Sequence, residues 1–578
     1  MSHTLYTKTD NVNIEENKQE QQSDKHSSAS QSFPIEIKKN KIGDFSRSNG
    51  LRMYPAYRRS SLSFIFGLLR LGILFDLFID IAKSHPSSRP KRAGMVLCGV
   101  PFLFIILLLN LPVSVAGQQA TIPEEPAVDP LRIPQDDLPA AINDPTLRIE
   151  TVAEGLKRPT AMAFLGSSDD IIVTEKDNGT VRRIIGGVMQ PEPIVDVAVA
   201  NDNDTNERGL LGMAVSKQNE NTTYVFLYYT ESGGGQDGDD ADGVMPAGNR
   251  LYRYELVENV NGNATSAKLI NPKLLLDLPA RPGPRYNAGP LLVSQNQFST
   301  NNIDGIASSS GAAAATNTTV YLMIGDLDHH RTQAENYEDG PPPDGTGGIL
   351  AVDVEGNPLP NPILVQEEEE EEDEDEEEEE EQEDIGMLPY YFAYGIRNSF
   401  GMAFDPVTGY LWDTENGPDW FDEINLVQPG FNSGWAAIQG PASAPENEGA
   451  DVDDDLEDFG GTGEYRDPEF AWQNTVGVTA IKFLNSTALG QEYLNDVFVG
   501  DINNRRLYHF DLNEDRTGLM LEGALEDRVA DNVGELAPVI FGTGFRSISD
   551  IEVGPDGYLY ILLYGPGKIY RIAPAPAE

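Results

Sequence analysis

One phrase recurs along the chain, and it constrains the fold more than any other feature. Its clearest copy lies at residues 547–572. A first β-rich run "SISDIEV" is followed by the turn "GPDG", the run "YLYILLY", the turn "GPG" and the run "KIYRI". The same order of run, turn, run, turn, run returns at 158–185, 209–256, 289–354, 398–427 and 477–512. Alternating β-branched and aromatic residues between Gly, Asp and Asn turns read as strands. No long amphipathic helical period interrupts them. Six similar units predict an all-β, six-bladed β-propeller over residues 147–578, in which radial repetition protects the strand edges. A long β-sandwich or two β-domains would not repeat one phrase six times.

The N-terminal part reads differently. Residues 1–60 are polar and are expected to be disordered. Residues 61–93 hold an apolar stretch interrupted by Arg70, Asp76 and Asp80, followed by a basic flank containing Lys83, Arg89, Lys91 and Arg92. Those mid-segment charges suit an interfacial helix as well as a span. Residues 94–117 carry no charge and are long enough to cross a bilayer as a transmembrane or signal-anchor segment. The preceding basic residues predict a cytoplasmic N-terminus, with everything after 117 exported. "SVA" at 114–116 offers a cleavage site, so the outcome is a membrane anchor or a secreted chain. Residues 118–146, rich in Pro and acids, read as a linker. Six N-x-S/T sequons follow, at Asn178, Asn203, Asn221, Asn263, Asn317 and Asn485. In an exported domain they mark surface loops open to glycan attachment.

Charge and cysteine content exclude several chemistries. The chain of 578 residues carries a formal charge of −52. Residues 367–381 are fifteen consecutive acids inside an insertion at 366–386, which like-charge repulsion keeps solvated. The chain has no basic patch beyond the N-terminal region, so nucleic acid is not an expected partner. Cys98 is the only cysteine. No disulfide forms within one chain, and cysteine-based metal clusters are excluded.

The stretch "DTENGPDWFDEINLV" (413–427) gathers Asp413, Glu415, Asp419, Asp422 and Glu423 around a Gly-Pro turn. Carboxylates and freed backbone carbonyls are what Ca²⁺ prefers. The same residues would also suit a turn held by backbone hydrogen bonds.

Together with "YGIRNSFGMAFDP" (394–406), "FNSGWAAIQGP" (431–441), "ERGLLGMAV" (207–215) and "GPDGYLYIL…GKIYRI" (554–572), this stretch resembles the glucose/sorbosone dehydrogenase family. These are six-bladed propellers related to soluble quinoprotein glucose dehydrogenase, and the resemblance runs over about residues 147–574. It implies Ca²⁺ and pyrroloquinoline quinone (PQQ) on the central axis, where an aldose sugar is oxidised. It implies that the carbonyls of Gly417 and Pro418 face Ca²⁺, with Asp422 and Glu423 beside them. It places Arg397 and Asn398 against quinone or substrate, with Asn416 and Asn503 completing the cofactor set. Asp326 would polarise a base or water. The electron acceptor is not specified.

The chain departs from the family pattern at informative places. The family's histidine base falls on Tyr286, within "PRYNAGPLL" (284–292), and a phenol near pKa 10 is a poor base at neutral pH. A family lysine falls on Asn503, and two arginines fall on Ser547 and Ser549. Fewer charge-assisted contacts weaken the hold on a tricarboxylate. "DLDHH" (326–330) offers Asp328, His329 and His330 as a base or metal set, or as a plain surface loop. Three functions are therefore expected in order: a Ca²⁺-dependent quinoprotein sugar dehydrogenase, a non-catalytic extracellular propeller that binds glycan or protein, and a metal-dependent hydrolase or lactonase.

Overall fold

The computed structural model describes residues 139–576 except 202–206, 259–265, 295–317, 329, 361 and 366–383. The N-terminal region 1–60, the segments 61–93 and 94–117, most of the 118–146 linker, the acidic run, His329 and the sequons Asn203, Asn263 and Asn317 lie outside the described residues. No helix among the described residues is long and apolar enough to cross a membrane. Of the three remaining sequons, Asn221 and Asn485 are exposed and Asn178 is half-buried.

The all-β propeller expected from the repeats is what the chain forms. The described strands group into six sheets. One edge of each sheet is a strand that opens a repeat: Pro159–Phe164, Leu210–Lys217, Leu291–Ser294, Ser399–Phe404, Val478–Phe483 and Ile548–Val553. Each of these inner strands touches the next, and Ile548–Val553 touches Pro159–Phe164, so the contacts close into a ring. The ring is also clasped at its ends. Leu147–Glu154 pairs antiparallel with Lys568–Pro574, making the first long strand the outer edge of the last sheet.

The sequence pattern explains the packing. The middle strands Thr319–Ile324, Leu411–Glu415, Val497–Asp501 and Leu559–Leu563 are buried along their whole length. Both faces of such a sheet meet a neighbouring sheet, so polar alternation is lost there and apolar runs replace it. Six clusters of buried side chains result, each between two adjacent sheets. The fourth and fifth sheets meet through Trp412, Phe470 and Trp472 on one side and Phe483, Tyr508 and Phe510 on the other. The Trp472 and Tyr508 rings lie 5.3 Å apart.

The outer strands came from segments the repeat does not announce: Ala267–Leu278, Tyr391–Tyr394, Phe470–Asn474 and Ile540–Thr543. Their spacing from the phrase varies because loops intervene.

Close approach of inner strands sets one stringent requirement. A Cβ on Gly212 would stand 1.9 Å from the Gly289 carbonyl oxygen of the next repeat. Gly212→Ala is expected to destabilise by about 1–3 kcal/mol, the usual cost of overpacking. A urea titration checks this, and an unchanged midpoint would mean that the ring spreads without cost.

Candidate functional site

The inner strands enclose a cavity of about 460 Å³ on the ring axis, lined by residues from all six of them. That volume suits a small-molecule site. Its chemistry is concentrated where the loops preceding the inner strands arrive.

Arg397 lies just before Ser399–Phe404 and is 6 % exposed. Its guanidinium carbon sits 3.9 Å from the Tyr286 ring centroid and 5.4 Å from that of Trp435. Stacking of this kind restricts the planar cation and favours its charge. Nη1 donates to the Asn416 carbonyl at 2.8 Å, whereas Nε is buried without a hydrogen-bond partner. Asn398 accepts from the Ala288 N–H through Oδ1 at 3.2 Å and points Nδ2 toward Glu207 Oε2 at 3.4 Å. Asn416 donates through Nδ2 to the Val478 carbonyl, and its Oδ1 is buried without a partner. Glu207 accepts the Tyr286 N–H at 2.6 Å. Arg397, Asn398, Asn416, Glu207 and Tyr286 all line the cavity, as do Lys176, Gly417, Asp422, Asn503 and Ser549.

Asp326, Pro418 and Glu423 are not among the lining residues. Asp326 is fully buried and accepts the Trp435 indole N–H at 2.8 Å. It thereby orients the ring that covers Arg397, so its link to the cavity runs through Trp435. Of the "DLDHH" loop, His330 pairs with Asp344 at 2.7 Å away from the cavity lining. This geometry gives no support to a hydrolase built on that loop. Ser549 Oγ donates to the Pro159 carbonyl at 2.8 Å and so fastens the last inner strand to the first.

The Gly-Pro turn divides its acids into two groups. Asp422 faces the cavity side. Its Oδ2 accepts from the N–H groups of Val476, Gly477 and Val478, and its Oδ1 from that of Gly417. A carboxylate has about four lone-pair sites, so backbone donors occupy this one. Burial pushes its pKa up to about 6, against the pull of those four donors.

The second group lies on the opposite face of the hairpin. Strand alternation puts Asp413 and Glu415 on one face, and the register pairs Asp413 with Asn425 and Glu415 with Glu423. Asn425 Nδ2 reaches Glu415 Oε1 at 3.0 Å and Glu423 Oε2 at 3.4 Å. Both Asp413 carboxylate oxygens are buried without a hydrogen-bond partner. Burial drives all three acids above the usual carboxylate range, and repulsion from neighbouring carboxylates adds to it, from Glu423 on Asp413, from Asp413 and Glu423 on Glu415, and from Asp422 and Asp467 on Glu423. Charges so placed are neutralised by protons or by a cation.

Sequence reasoning passed over Glu207, Lys176 and the shared buried face of Asp413, Glu415 and Glu423. Glu207 opens the quoted phrase "ERGLLGMAV", but nothing local tells that its carboxylate reaches Tyr286, 79 positions away.

The family model for glucose/sorbosone dehydrogenase matches residues 156–271 and 374–571. The chain belongs to the glucose/sorbosone dehydrogenase family. Within this family it is 30% identical to the aldose sugar dehydrogenase YliI of Escherichia coli over 188 residues, 32% of this chain and 43% of YliI. It is 24% identical to quinoprotein glucose dehydrogenase B of Acinetobacter calcoaceticus over 294 residues, 50% of this chain and 52% of that protein. The chain thus matches about half the length of each of these two relatives. A solved glucose dehydrogenase superposes with a TM-score of 0.50 at 21% identity, over 75% of this chain and 99% of that one, and shares the fold. The part of the chain that the family model matches at 374–571 includes the phrases "RNSFG" and "ENGPDWFDEIN", which lie at the cavity and at the acid-bearing hairpin beside it.

Proposed function

We propose that the chain is an aldose dehydrogenase that uses PQQ and Ca²⁺. The observation that carries this reading is a pair of unsatisfied polar atoms, Arg397 Nε and Asn416 Oδ1, buried beside a cavity that both residues line. Buried polar groups are rarely left unpaired, and a polar ligand in the cavity would complete them. Arg397 and Lys176 would hold the carboxylates of the quinone, with Asn398, Asn416 and Asn503 as amide partners. The bound quinone supplies a two-electron acceptor for hydride. Asn503, Ser547 and Ser549 are neutral where the family pattern has cations, so the quinone is expected to bind more weakly than to a site with all of them.

Ca²⁺ fits the turn region on the chemistry of its donors. Asp413, Glu415 and Glu423 offer oxygen ligands whose charge no Lys or Arg among the described residues pairs with. Gly417 lies on the other, cavity side of the turn, with Asp422. A pH dependence follows. Folded-state pKa values raised above the unfolded ones mean that the native state holds extra protons, so these acids cost stability as pH rises from the unfolded value up to the folded one, and the full cost persists above it. A cation removes that cost by displacing the protons. The gain in melting temperature on adding Ca²⁺ is therefore expected to be small near pH 5 and larger near pH 8, and Asp413→Asn should reduce it. A gain independent of pH would count against a cation at these acids.

Residues 94–117 would tether the propeller to a membrane on the extracellular side, or release it if cleaved. The substrate is a small sugar, and the electron acceptor is left open by this reading.

The test is a PQQ titration of the full chain with and without Ca²⁺, followed by addition of aldoses. Ca²⁺-dependent saturation and bleaching by a sugar are expected. A second reading, a non-catalytic sugar-binding propeller, draws on the neutral residues Tyr286, Asn503, Ser547 and Ser549. It takes over if Ca²⁺ binds and PQQ does not.

A further inference from the structure

We propose that Glu207 is the proton acceptor in the sugar oxidation, an inference that rests on the dehydrogenase reading. Oxidising a sugar hydroxyl to a carbonyl breaks two bonds. The C–H bond breaks with its electron pair, which leaves as hydride to a two-electron quinone acceptor. The O–H bond breaks as its proton passes to a base, and the carbonyl forms. The base must therefore stand in the cavity with a lone pair to spare.

Four carboxylates line the cavity: Glu207, Asp422, Asp550 and Glu552. Asp422 is occupied by four backbone N–H groups. Asp550 accepts the N–H of Met162 at 2.7 Å and that of Ile551 at 2.8 Å, one on each oxygen. Glu552 is paired with Lys482 at 2.6 Å. Glu207 differs from these three. Its contacts with the Tyr286 N–H at 2.6 Å and with Asn398 Nδ2 at 3.4 Å both fall on Oε2, and the Asn287 N–H also faces the carboxylate, so its donors gather on one side instead of occupying both oxygens at close range. It also shares the cavity wall with Arg397. The Tyr286 phenol is occupied differently: its ring covers the Arg397 guanidinium at 3.9 Å. The backbone of Tyr286 thus positions the base while its side chain shields the cation.

Burial raises the Glu207 carboxyl above its ordinary range, and the N–H groups of Tyr286 and Asn287 and the charges of Arg397 and Lys176 oppose that rise. A carboxylate with a raised pKa is the stronger base.

The experiment compares the full chain with its Glu207→Gln and Glu207→Asp variants. PQQ binding is followed by absorbance, and the protonated-carboxyl infrared band is followed against pH in the quinone-free protein. Glu207→Gln is expected to bind PQQ like the wild type, to lose one titrating carboxyl band, and to lose at least about 100-fold in kcat/KM, the lower end of general-base effects. The wild-type kcat/KM should rise with pH through the Glu207 titration. This limb should vanish in Glu207→Gln and return, with part of the rate, in Glu207→Asp. Retention of rate and of that limb in Glu207→Gln overturns the assignment. So does loss of PQQ binding in that variant, which would mark Glu207 as structural. Failure of the wild type itself to bind PQQ is a separate result that removes the dehydrogenase reading and this inference with it.

Discussion

Replacing Asp422 with alanine is expected to destabilise the propeller by about 3–5 kcal/mol, whether or not calcium is present. The carboxylate holds the N–H groups of Val476, Gly477, Val478 and Gly417 in a buried place. Removing the acceptor leaves four donors in low dielectric, and each unsatisfied group costs about 1–3 kcal/mol before relaxation and water entry reduce the sum. The four donors belong to the Gly-Pro turn of the fourth sheet and to the lead-in of the fifth, so the loss falls on a junction between sheets. Asp422→Asn should cost less. Its amide oxygen can serve the three donors now on Oδ2, while its NH₂ would face the Gly417 N–H as donor against donor. The pH profile gives a second check. The folded-state pKa is raised to about 6 from an ordinary value of 3.8, so the ionised carboxylate costs stability as pH rises between those values. The alanine variant should lack that segment of the profile. Denaturant melts with and without Ca²⁺ decide the matter. A loss seen only with Ca²⁺ would show that Asp422 is a metal ligand and not the anchor of the turn.

Arg397→Lys is expected to weaken PQQ binding by at least about 100-fold, equivalent to roughly 2.7 kcal/mol. The substitution keeps the charge and removes the geometry. The guanidinium carbon stands 3.9 Å from the Tyr286 ring centroid and 5.4 Å from that of Trp435 while Nη1 donates to the Asn416 carbonyl. An ammonium is a hydrated point charge without a planar face, and it cannot do both. Asp326 holds Trp435 through the indole N–H at 2.8 Å, so Asp326→Asn should give a smaller loss in the same direction. Absorbance titration measures both. Near wild-type affinity in Arg397→Lys would mean that charge alone suffices and that the aromatic clamp is incidental.

Much of the propeller was legible because a strand-turn-strand phrase depends on neighbours in sequence. The turn residues of "GPDG" and the apolar runs beside it predict hairpins wherever they occur. The innermost three strands of the sheets follow from that phrase. The outer strands Tyr391–Tyr394 and Phe470–Asn474 did not stand out, because loops separate them from their repeats and short runs carry little periodicity. The site was legible in part. Arg397, Asn398, Asn416, Asn503, Gly417 and Asp422 sit in recognisable phrases and do line the cavity. Asp326 sits in one too, yet its carboxylate turns to Trp435, a residue 109 positions away.

Sequence by itself determined what short-range chemistry controls: all-β structure, the repeat, the turns, the family and the carboxylates gathered between 413 and 427. Only the tertiary structure decided how those acids are used. Alternation and register set Asp413, Glu415 and Glu423 on one face of a hairpin, and the loop ahead of Val478–Phe483 surrounds Asp422 with backbone donors. It also brought Glu207 to Tyr286 and Arg397, three residues from the lead-ins of three different repeats. Closing a ring of sheets makes neighbours of residues that no local pattern relates, so the role of each side chain depends on which partner the closure delivers.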